Sequence, residues 1–398
     1  AYCEQGATDS YSPSERSTLA ESLNKLRDAY YAEGDVEYAG RYLFSGYMTD
    51  TPLTYQSDET AAKADFTITQ EFTRENIELK TVYTNAYSND DILNLNVKTD
   101  AATGNVITPN VADVHRVRIG YTNVSDAGPF EIKLNDGTTI AAAAVNDSNY
   151  QPGDDEAAFN AATGEILLGE NVYKQLYASD GFSFTYRKDN FAKGDLNPVM
   201  YYDCVDNNPD NAGVVYTKKT EDIEYNINFS QKLKVNTEAN EVFNMYLGRD
   251  IDDLITSVNN VIDIEAQLEK VEGMLKQDIY SDKDSQSKLN SIKEGLTKQN
   301  ELAKEEMKNR FEYCVGTMQG YQEQASLAKA DAGNRMTRLN LTKSRLTEQK
   351  TNFTNLKSEN EDIDLEEVVV GYSAAQLVYN ASLTAASKVI QQTLLDFL

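Results

Sequence analysis

The 398-residue sequence contains no tryptophan, one histidine and three cysteines. Cys3, Cys204 and Cys314 are odd in number, widely spaced and without a C-x-x-C pair, so they indicate neither a disulfide framework nor a zinc site. The one histidine, His115, lies in an alternating run from Asp113 to Tyr121 and is predicted to be a packed strand residue rather than a catalytic base. A Ser-His-Asp type of site therefore has no base to build on.

The common ligand-binding motifs are also missing. No G-x-x-x-x-G-K-[ST], G-x-G-x-x-G or H-E-x-x-H occurs, which leaves nucleotide, dinucleotide and zinc-protease functions without their first requirement. The acidic run from Glu359 to Glu367 lacks the glycine and the ligand spacing of a calcium loop. We predict no enzymatic activity, no cofactor and no metal.

Basic residues are few relative to acidic ones. The chain has 64 acidic against 37 basic residues and a formal net charge of −27, without a basic cluster, which argues against nucleic acid and anionic membrane as partners. The sequence shows no secretory signal, and polar residues interrupt every apolar run before the roughly 18 residues that a membrane span requires.

Proline and glycine are unevenly distributed. Five of the seven prolines and ten glycines fall between Leu53 and Val235, and no proline follows Thr237. Two alternating runs, Phe130–Leu134 before the turn Asn135-Asp-Gly137 and Ile223–Phe229, predict half-buried strands in this middle region. We predict an inserted β-rich domain over residues 53–235.

Helical patterns occupy both sides of this domain. Ser12 and Glu15 form a capping-box pattern before a stripe of Leu19, Leu23, Leu26 and Tyr30. After the domain, Asp250 is a candidate N-cap for one helix, and the polar segment 278–284 separates it from a long helix with an apolar stripe from Leu289 to Tyr321. The two helical parts, residues 1–52 and 236–363, are predicted to bury their stripes against each other.

The last stretch is the most distinctive. Apolar residues recur in sevens at Leu339, Leu346 and Phe353, a spacing typical of a coiled-coil seam. A new helix is predicted from a cap at Asp364, and residues 364–398 form a terminal core helix that is apolar nearly all round and needs cover from other protein. The predicted assembly residues are Leu339, Leu346, Phe353, Leu356, Tyr372, Ala375, Tyr379, Ala386, Val389, Leu394, Leu395, Phe397 and Leu398.

The predicted fold is therefore α+β: a long α-helical coiled-coil bundle built from both chain ends, with an inserted β-rich domain. Several motifs in this frame resemble the bacterial flagellar hook-associated protein 3 family, which is related to flagellin. They are Gly40-Arg-Tyr-Leu-Phe-Ser-Gly46 with Thr49-Asp-Thr-Pro52, Asp331-Ala-Gly-Asn-Arg335, Leu341-Thr-Lys-Ser-Arg345, Glu361-Asp-Ile-Asp364 and Thr393-Leu-Leu-Asp-Phe-Leu398. The resemblance covers roughly residues 1–52 and 237–398.

The resemblance implies an extracellular structural protein of motility, exported through the flagellar channel and assembled as a ring at the junction between hook and filament. It implies four partners: further copies of this chain, hook-associated protein 1, flagellin and a flagellar export chaperone. Family members begin with a further helical segment that pairs with the final helix. This sequence is expected to lack that segment, so its final helix is expected to be poorly packed in the monomer.

Two other hypotheses stand beside this one. Flagellin, the filament subunit, would have similar chain ends, and its copy number in purified filaments would distinguish it. A carbohydrate-binding or enzymatic module in the β-rich domain would be revealed by glycan binding of residues 53–235.

Overall fold

The computed structural model describes residues 2–7, 12–211, 213–218, 222–362 and 364–395. Its fold is α+β, with long helices toward the carboxyl end and a large mixed sheet, which confirms the predicted class. The helices among these residues are α1 (Tyr2–Gly6), α2 (Pro13–Ala32), α3 (Asp58–Ala62), α4 (Asn89–Leu93), α5 (Glu170–Ala178), α6 (Ala239–Val242), α7 (Tyr246–Leu275), α8 (Lys283–Glu361) and α9 (Leu365–Leu395).

The strands are β1 (Glu37–Tyr38), β2 (Arg41–Tyr42), β3 (Phe66–Phe72), β4 (Ile77–Thr84), β5 (Asn110–Arg118), β6 (Phe130–Leu134), β7 (Thr139–Ala144), β8 (Ala157–Asn160), β9 (Glu165–Leu168), β10 (Phe182–Lys188), β11 (Asp203–Asp206), β12 (Val215–Tyr216), β13 (Glu224–Asn228) and β14 (Gln231–Lys234). The chain divides into two compact units. The first comprises residues 1–223 and 234–331, and the second comprises residues 224–233 and 332–398.

A single ten-stranded sheet dominates the first unit, in the order β12-β11-β3-β10-β6-β7-β8-β9-β5-β4. The β7–β8 pair is parallel. The Phe130, Phe159 and Phe184 side chains pack together on this sheet, with ring centroids 4.6–6.2 Å apart. The predicted β6–β7 hairpin is confirmed: Phe130, Ile132 and Leu134 are buried, and Gly137 takes the positive φ of 90° that its turn requires.

Helix α2 begins as the sequence predicts. The Ser12 hydroxyl accepts a hydrogen bond from the Glu15 amide, and the Ser12 amide donates to the Glu15 carboxylate at 2.8 Å. The predicted stripe is partly wrong, because Leu26 is 53% exposed. Leu23 is buried as predicted, and Leu19 and Tyr30 are half-buried. Arg16, Ala20 and Tyr31 are buried as well, so the buried face is rotated slightly around the helix axis.

Helix α7 begins earlier than predicted. It starts at Tyr246, whose amide donates to the Asn244 side chain at 2.9 Å, so Asp250 is not the N-cap. Asp250 lies one turn inside the helix and is buried. Its carboxylate accepts hydrogen bonds from Arg118 and from the Tyr321 hydroxyl, which explains why an acidic residue occupies this interior position.

The predicted long helix is confirmed as α8, and so are the break before it and the break after it. A short 3-10 turn over Asp278–Tyr280 precedes α8, and Leu289, Ile292 and Leu296 of α8 are fully buried in the core of the first unit with residues of α7. Helix α8 ends at Glu361 and α9 starts at Leu365, with the Asp364 carboxylate accepting from the Glu366 amide at 2.9 Å. Ile363, which belongs to the motif Glu361-Asp-Ile-Asp364, lies outside the described residues.

The second unit contains the β13–β14 hairpin, part of α8 and α9. The predicted half-burial of this strand is only partly confirmed: Ile227 is half-buried, but Tyr225 is 61% exposed and Phe229 lies fully exposed after the end of β13. The alternation in sequence is real, but β13 pairs with β14 in a two-stranded sheet that leaves most of its side chains outside. Beside this hairpin, Thr342 of α8 is buried and Arg345 donates to the Gln231 side chain at 3.1 Å.

Candidate assembly surface

The carboxyl-terminal part of α8 exposes the predicted coiled-coil seam. Leu339 and Leu346 are 46% and 41% exposed, and Phe353 and Leu356 are 70% and 58% exposed. The seven-residue spacing keeps the first three side chains along one stripe of the helix. The second unit therefore presents a line of large apolar side chains to its surroundings.

Helix α9 is exposed along its described length. Tyr372, Tyr379 and Val389 are each more than 60% exposed, and the small residues Ala375 and Ala386 are exposed too. Leu394 and Leu395 lie within the bounds of α9, but their side chains are outside the described part of the structure, as are Phe397 and Leu398 altogether. Soluble monomers rarely leave a contiguous apolar patch larger than a few hundred Å² uncovered, which makes the exposed surface of α9 the candidate functional site of this chain.

Negative charge is concentrated at the beginning of α9. Asp364 caps its first turn, and Glu366 and Glu367 follow at the positive end of the helix dipole. Lys388 is the one charged residue from Tyr372 to Val389. None of the helices in the described ranges combines the length and apolar character needed to cross a bilayer.

A buried ionic cluster in the first unit was not anticipated from the sequence. Arg118 on β5 donates to Asp250 of α7 at 2.8 Å and to Glu78 of β4 at 2.7 Å. Its neighbour on the same strand face, Arg116, donates to Glu165 of β9 and Asp253 of α7, both at 2.5 Å. The cluster thus joins one edge of the sheet to α7.

The charges in this cluster control one another's protonation. Burial alone would raise the pKa of Asp253, but the guanidinium groups of Arg116, Arg118 and Arg249 more than offset it and hold the pKa well below its ordinary value. Burial and the cations of Lys80 and Arg116 oppose each other at Glu165 in the same way, and its pKa is also lowered. These groups are therefore ionised and paired at neutral pH, which suits them to structural cohesion rather than proton transfer.

The sequence carried a weak signal for this cluster. Arg116 and Arg118 lie two residues apart among the apolar residues Val114, Val117 and Ile119, and charges in such a setting usually have buried partners. His115 is half-buried and stacks on Tyr173 with ring centroids 3.5 Å apart, in keeping with the predicted packing role.

Acid is expected to destabilise the first unit through this cluster. Because the folded-state pKa values of Asp253 and Glu165 are lowered, their stabilisation is complete above an unfolded-state pKa of about 4 and is lost as the pH falls further. Asp252 acts in the opposite sense, since burial raises its pKa despite Arg27 and Arg249 and its protonation favours the fold. The two lowered pKa values outweigh the one raised value. The urea concentration at the unfolding midpoint should therefore decrease as the pH is lowered from about 5 to about 2.

The measurement is tyrosine near-UV circular dichroism in urea at each pH, which the 25 tyrosines make practicable. Asp253→Asn is the matched variant. It should be less stable than the wild type at neutral pH and lose less on acidification. Equal acid sensitivity of both proteins would show that the lowered pKa of Asp253 does not contribute.

No group of three or more His, Cys, Asp or Glu side chains with metal-site geometry occurs in residues for which side chains are described. Fold and surface together describe an α+β chain whose most unusual feature is the exposed apolar surface of its last two helices.

No protein-family model matches the chain, and no curated protein is similar to it. Among solved structures, it is similar to FlgL of Xanthomonas campestris in crystal forms C2 and H3, the hook-associated protein 3 of that organism. The C2 comparison gives 13% identity and a TM-score of 0.18, and the H3 comparison gives 12% and 0.19; each covers 85% of this chain and 86% of FlgL. Such TM-scores mean that the chains do not superimpose as wholes, so the function proposed next rests on this chain's own residues.

Proposed function

We propose that this chain is a non-enzymatic structural subunit of the bacterial flagellum that joins the hook to the filament and assembles through α9 and the seam of α8. The observation that carries the proposal is the exposure of the predicted seam and of α9. Side chains spaced for helix packing remain largely uncovered on the monomer, at Leu339, Leu346, Phe353 and along Tyr372–Val389.

The energy available from this surface is large. Burying one Leu, Val or Phe side chain contributes about 1.5–3 kcal/mol, so covering even a few of these residues supports stable association. The exposed small residues Ala375 and Ala386 permit close approach of a neighbouring helix. A helix that exposes both large apolar and small side chains is suited to the centre of a multi-subunit assembly, where neighbouring subunits cover all its faces.

The sequence motifs supply the particular context. Their resemblance to hook-associated protein 3 favours an extracellular protein exported through the flagellar channel, with further copies of itself, hook-associated protein 1, flagellin and an export chaperone as partners. Under this proposal, residues 364–398 form the inner core, residues 1–52 and 236–363 form the helical layer, and the β-rich residues 53–235 face outward. Flagellin is the second candidate and shares the same type of helical ends.

Leu346→Asp and Phe353→Asp test the seam. Both side chains are exposed in the monomer, so each variant should unfold in urea at nearly the wild-type midpoint. In the assembly each variant would bury a carboxylate at a helix interface, at a cost of several kcal/mol, and incorporation into flagella should fail. Thr351→Asp places the same charge on an exposed position away from the seam and should assemble normally.

The assay uses the bacterium that encodes the chain. Deletion of the gene should leave hooks without filaments and release flagellin into the medium, and the wild-type gene and Thr351→Asp should restore filaments while the seam variants do not. Filaments of normal length in the deletion strain would contradict the junction role. A protein present as the bulk filament component would establish the flagellin alternative.

A further inference from the structure

Two of the three cysteines lie together in the core of the first unit. Cys3 of α1 and Cys314 of α8 are both free thiols, 6% and 1% exposed, and their side chains are hydrogen-bonded to each other. They are separated by more than three hundred residues in sequence. Their contact therefore reports the docking of the amino-terminal helix on α8.

The packing of these two helices explains the contact. Gly6 faces Phe311 so closely that a Cβ atom on Gly6 would lie 2.1 Å from the Phe311 ring. Gly6 is three residues after Cys3, and Phe311 is three residues before Cys314, so the helices run antiparallel with both pairs in one register. The absence of a side chain at Gly6 lets the backbones approach and brings the thiols into contact.

The two thiols differ in reactivity. The hydrogen bond from Cys314 lowers the pKa of Cys3, while the same hydrogen bond and burial raise the pKa of Cys314. Cys3 is thus the thiol that ionises first and acts as the nucleophile. Cys204 of β11 differs from both, because burial and the carboxylates of Asp203 and Asp206 raise its pKa to about 12.

We propose that Cys3 and Cys314 are a redox pair that forms a disulfide and covalently fastens α1 to α8. The oxidant is a small-molecule disulfide such as oxidised glutathione. The Cys3 thiolate attacks one of its sulfur atoms, giving a mixed disulfide and one glutathione thiolate. Cys314 then loses its proton and displaces the second glutathione, so both electrons and both thiol hydrogens end on two reduced glutathione molecules.

Access to the buried thiols comes through α1 itself. This helix has five residues. Its contacts with the rest of the first unit include the packing of Gly6 on Phe311 and the hydrogen bond that Arg16 donates to the Gly6 carbonyl at 3.2 Å. Local opening of a short helix costs less free energy than unfolding of the whole domain. The inference concerns the first unit and is independent of the assembly proposed above.

The experiment is oxidation of the native full chain with oxidised glutathione, followed by thiol titration in denaturant. The reduced protein has three titratable cysteines, and the oxidised protein should have one. Cys204→Ser should go from two to none, and Cys3→Ala should keep two. Cys314→Ala should keep one thiol and retain one glutathione on Cys3, because the resolving thiol is missing. Peptide mapping without reductant should find the Cys3 and Cys314 peptides joined, with the loss of two hydrogens.

A further readout is thermal unfolding. The disulfide closes a loop of most of the chain, so the oxidised wild type should melt at a higher temperature than the reduced protein, and a reductant should abolish the difference. Three remaining thiols, a stable glutathione adduct, a bond that includes Cys204 or covalent dimers would each overturn the proposal. Retention of two thiols by Cys3→Ala separates the proposed pair from unspecific oxidation.

Discussion

Replacing Arg118 with methionine is expected to lower the free energy of unfolding of the first unit by about 3–5 kcal/mol. Arg118 is 4% exposed, and its guanidinium group donates hydrogen bonds to Asp250 and Glu78. It also donates to the Asp253 carboxylate at 3.4 Å. Methionine fills a similar volume but leaves these carboxylates in a buried environment without their shared cation. The large loss thus comes from uncompensated buried charge rather than from a cavity.

Arg187→Met is the matched control. Arg187 lies on β10 of the same sheet and pairs with Asp65 at 2.5 Å, but its side chain is 49% exposed. Water solvates the Arg187 guanidinium there, and Asp65 keeps a hydrogen bond from the Asn207 side chain at 3.1 Å, so the control should lose less than about 1 kcal/mol. Urea unfolding followed by tyrosine near-UV circular dichroism measures both variants, and similar losses for the two would show that burial of the Arg118 cluster adds little.

Local signals in the sequence predicted local structure well. The Ser12–Glu15 capping box, the β6–β7 hairpin and the cap at Asp364 each depend on residues within a few positions of one another, and the structure confirms them. The same holds for the length of α8, which has no proline to interrupt it. Periodicity therefore predicted where helices and this hairpin lie.

Long-range pairing was not visible in the pattern. Arg118 and Asp250 are 132 residues apart, and nothing near Asp250 shows that its carboxylate binds an arginine instead of capping α7. The Ile223–Phe229 alternation likewise cannot reveal that β13 pairs with a single strand and stays exposed. Burial of a charge or a strand face depends on elements far away in sequence, which one chain's periodicity does not specify.

The candidate assembly surface shows the same division. The sequence identified which side chains of α8 and α9 are large and apolar, and the structure places the described ones on exposed helix faces. Their packing role stays a prediction, because periodicity marks a surface suited to a helix without specifying which helix covers it. Exchange measurements on the free and assembled protein address this directly.

In the monomer, the amides of α9 should exchange with solvent about a thousandfold or more faster than the most protected amides of α7. The two helices are nearly equal in length, 31 and 30 residues, so α7 is an internal control. Leu254, Val258 and Val261 of α7 are at most 1% exposed, whereas α9 exposes its side chains from Leu365 to Val389. An uncovered helix opens at little cost because tertiary packing supplies most helical stability in proteins.

Assembly should remove this difference in exchange rate. When neighbouring subunits cover the apolar faces of α9, opening requires their separation, and exchange of its amides should slow to rates comparable with those of α7. Hydrogen exchange with peptide-resolved mass spectrometry on monomer and assembly measures both states, with Leu346→Asp as a variant that remains in the monomer state. Strong protection throughout Tyr372–Leu398 in the monomer would mean that this helix docks on its own chain, and the assembly role proposed for it would lose its main physical support.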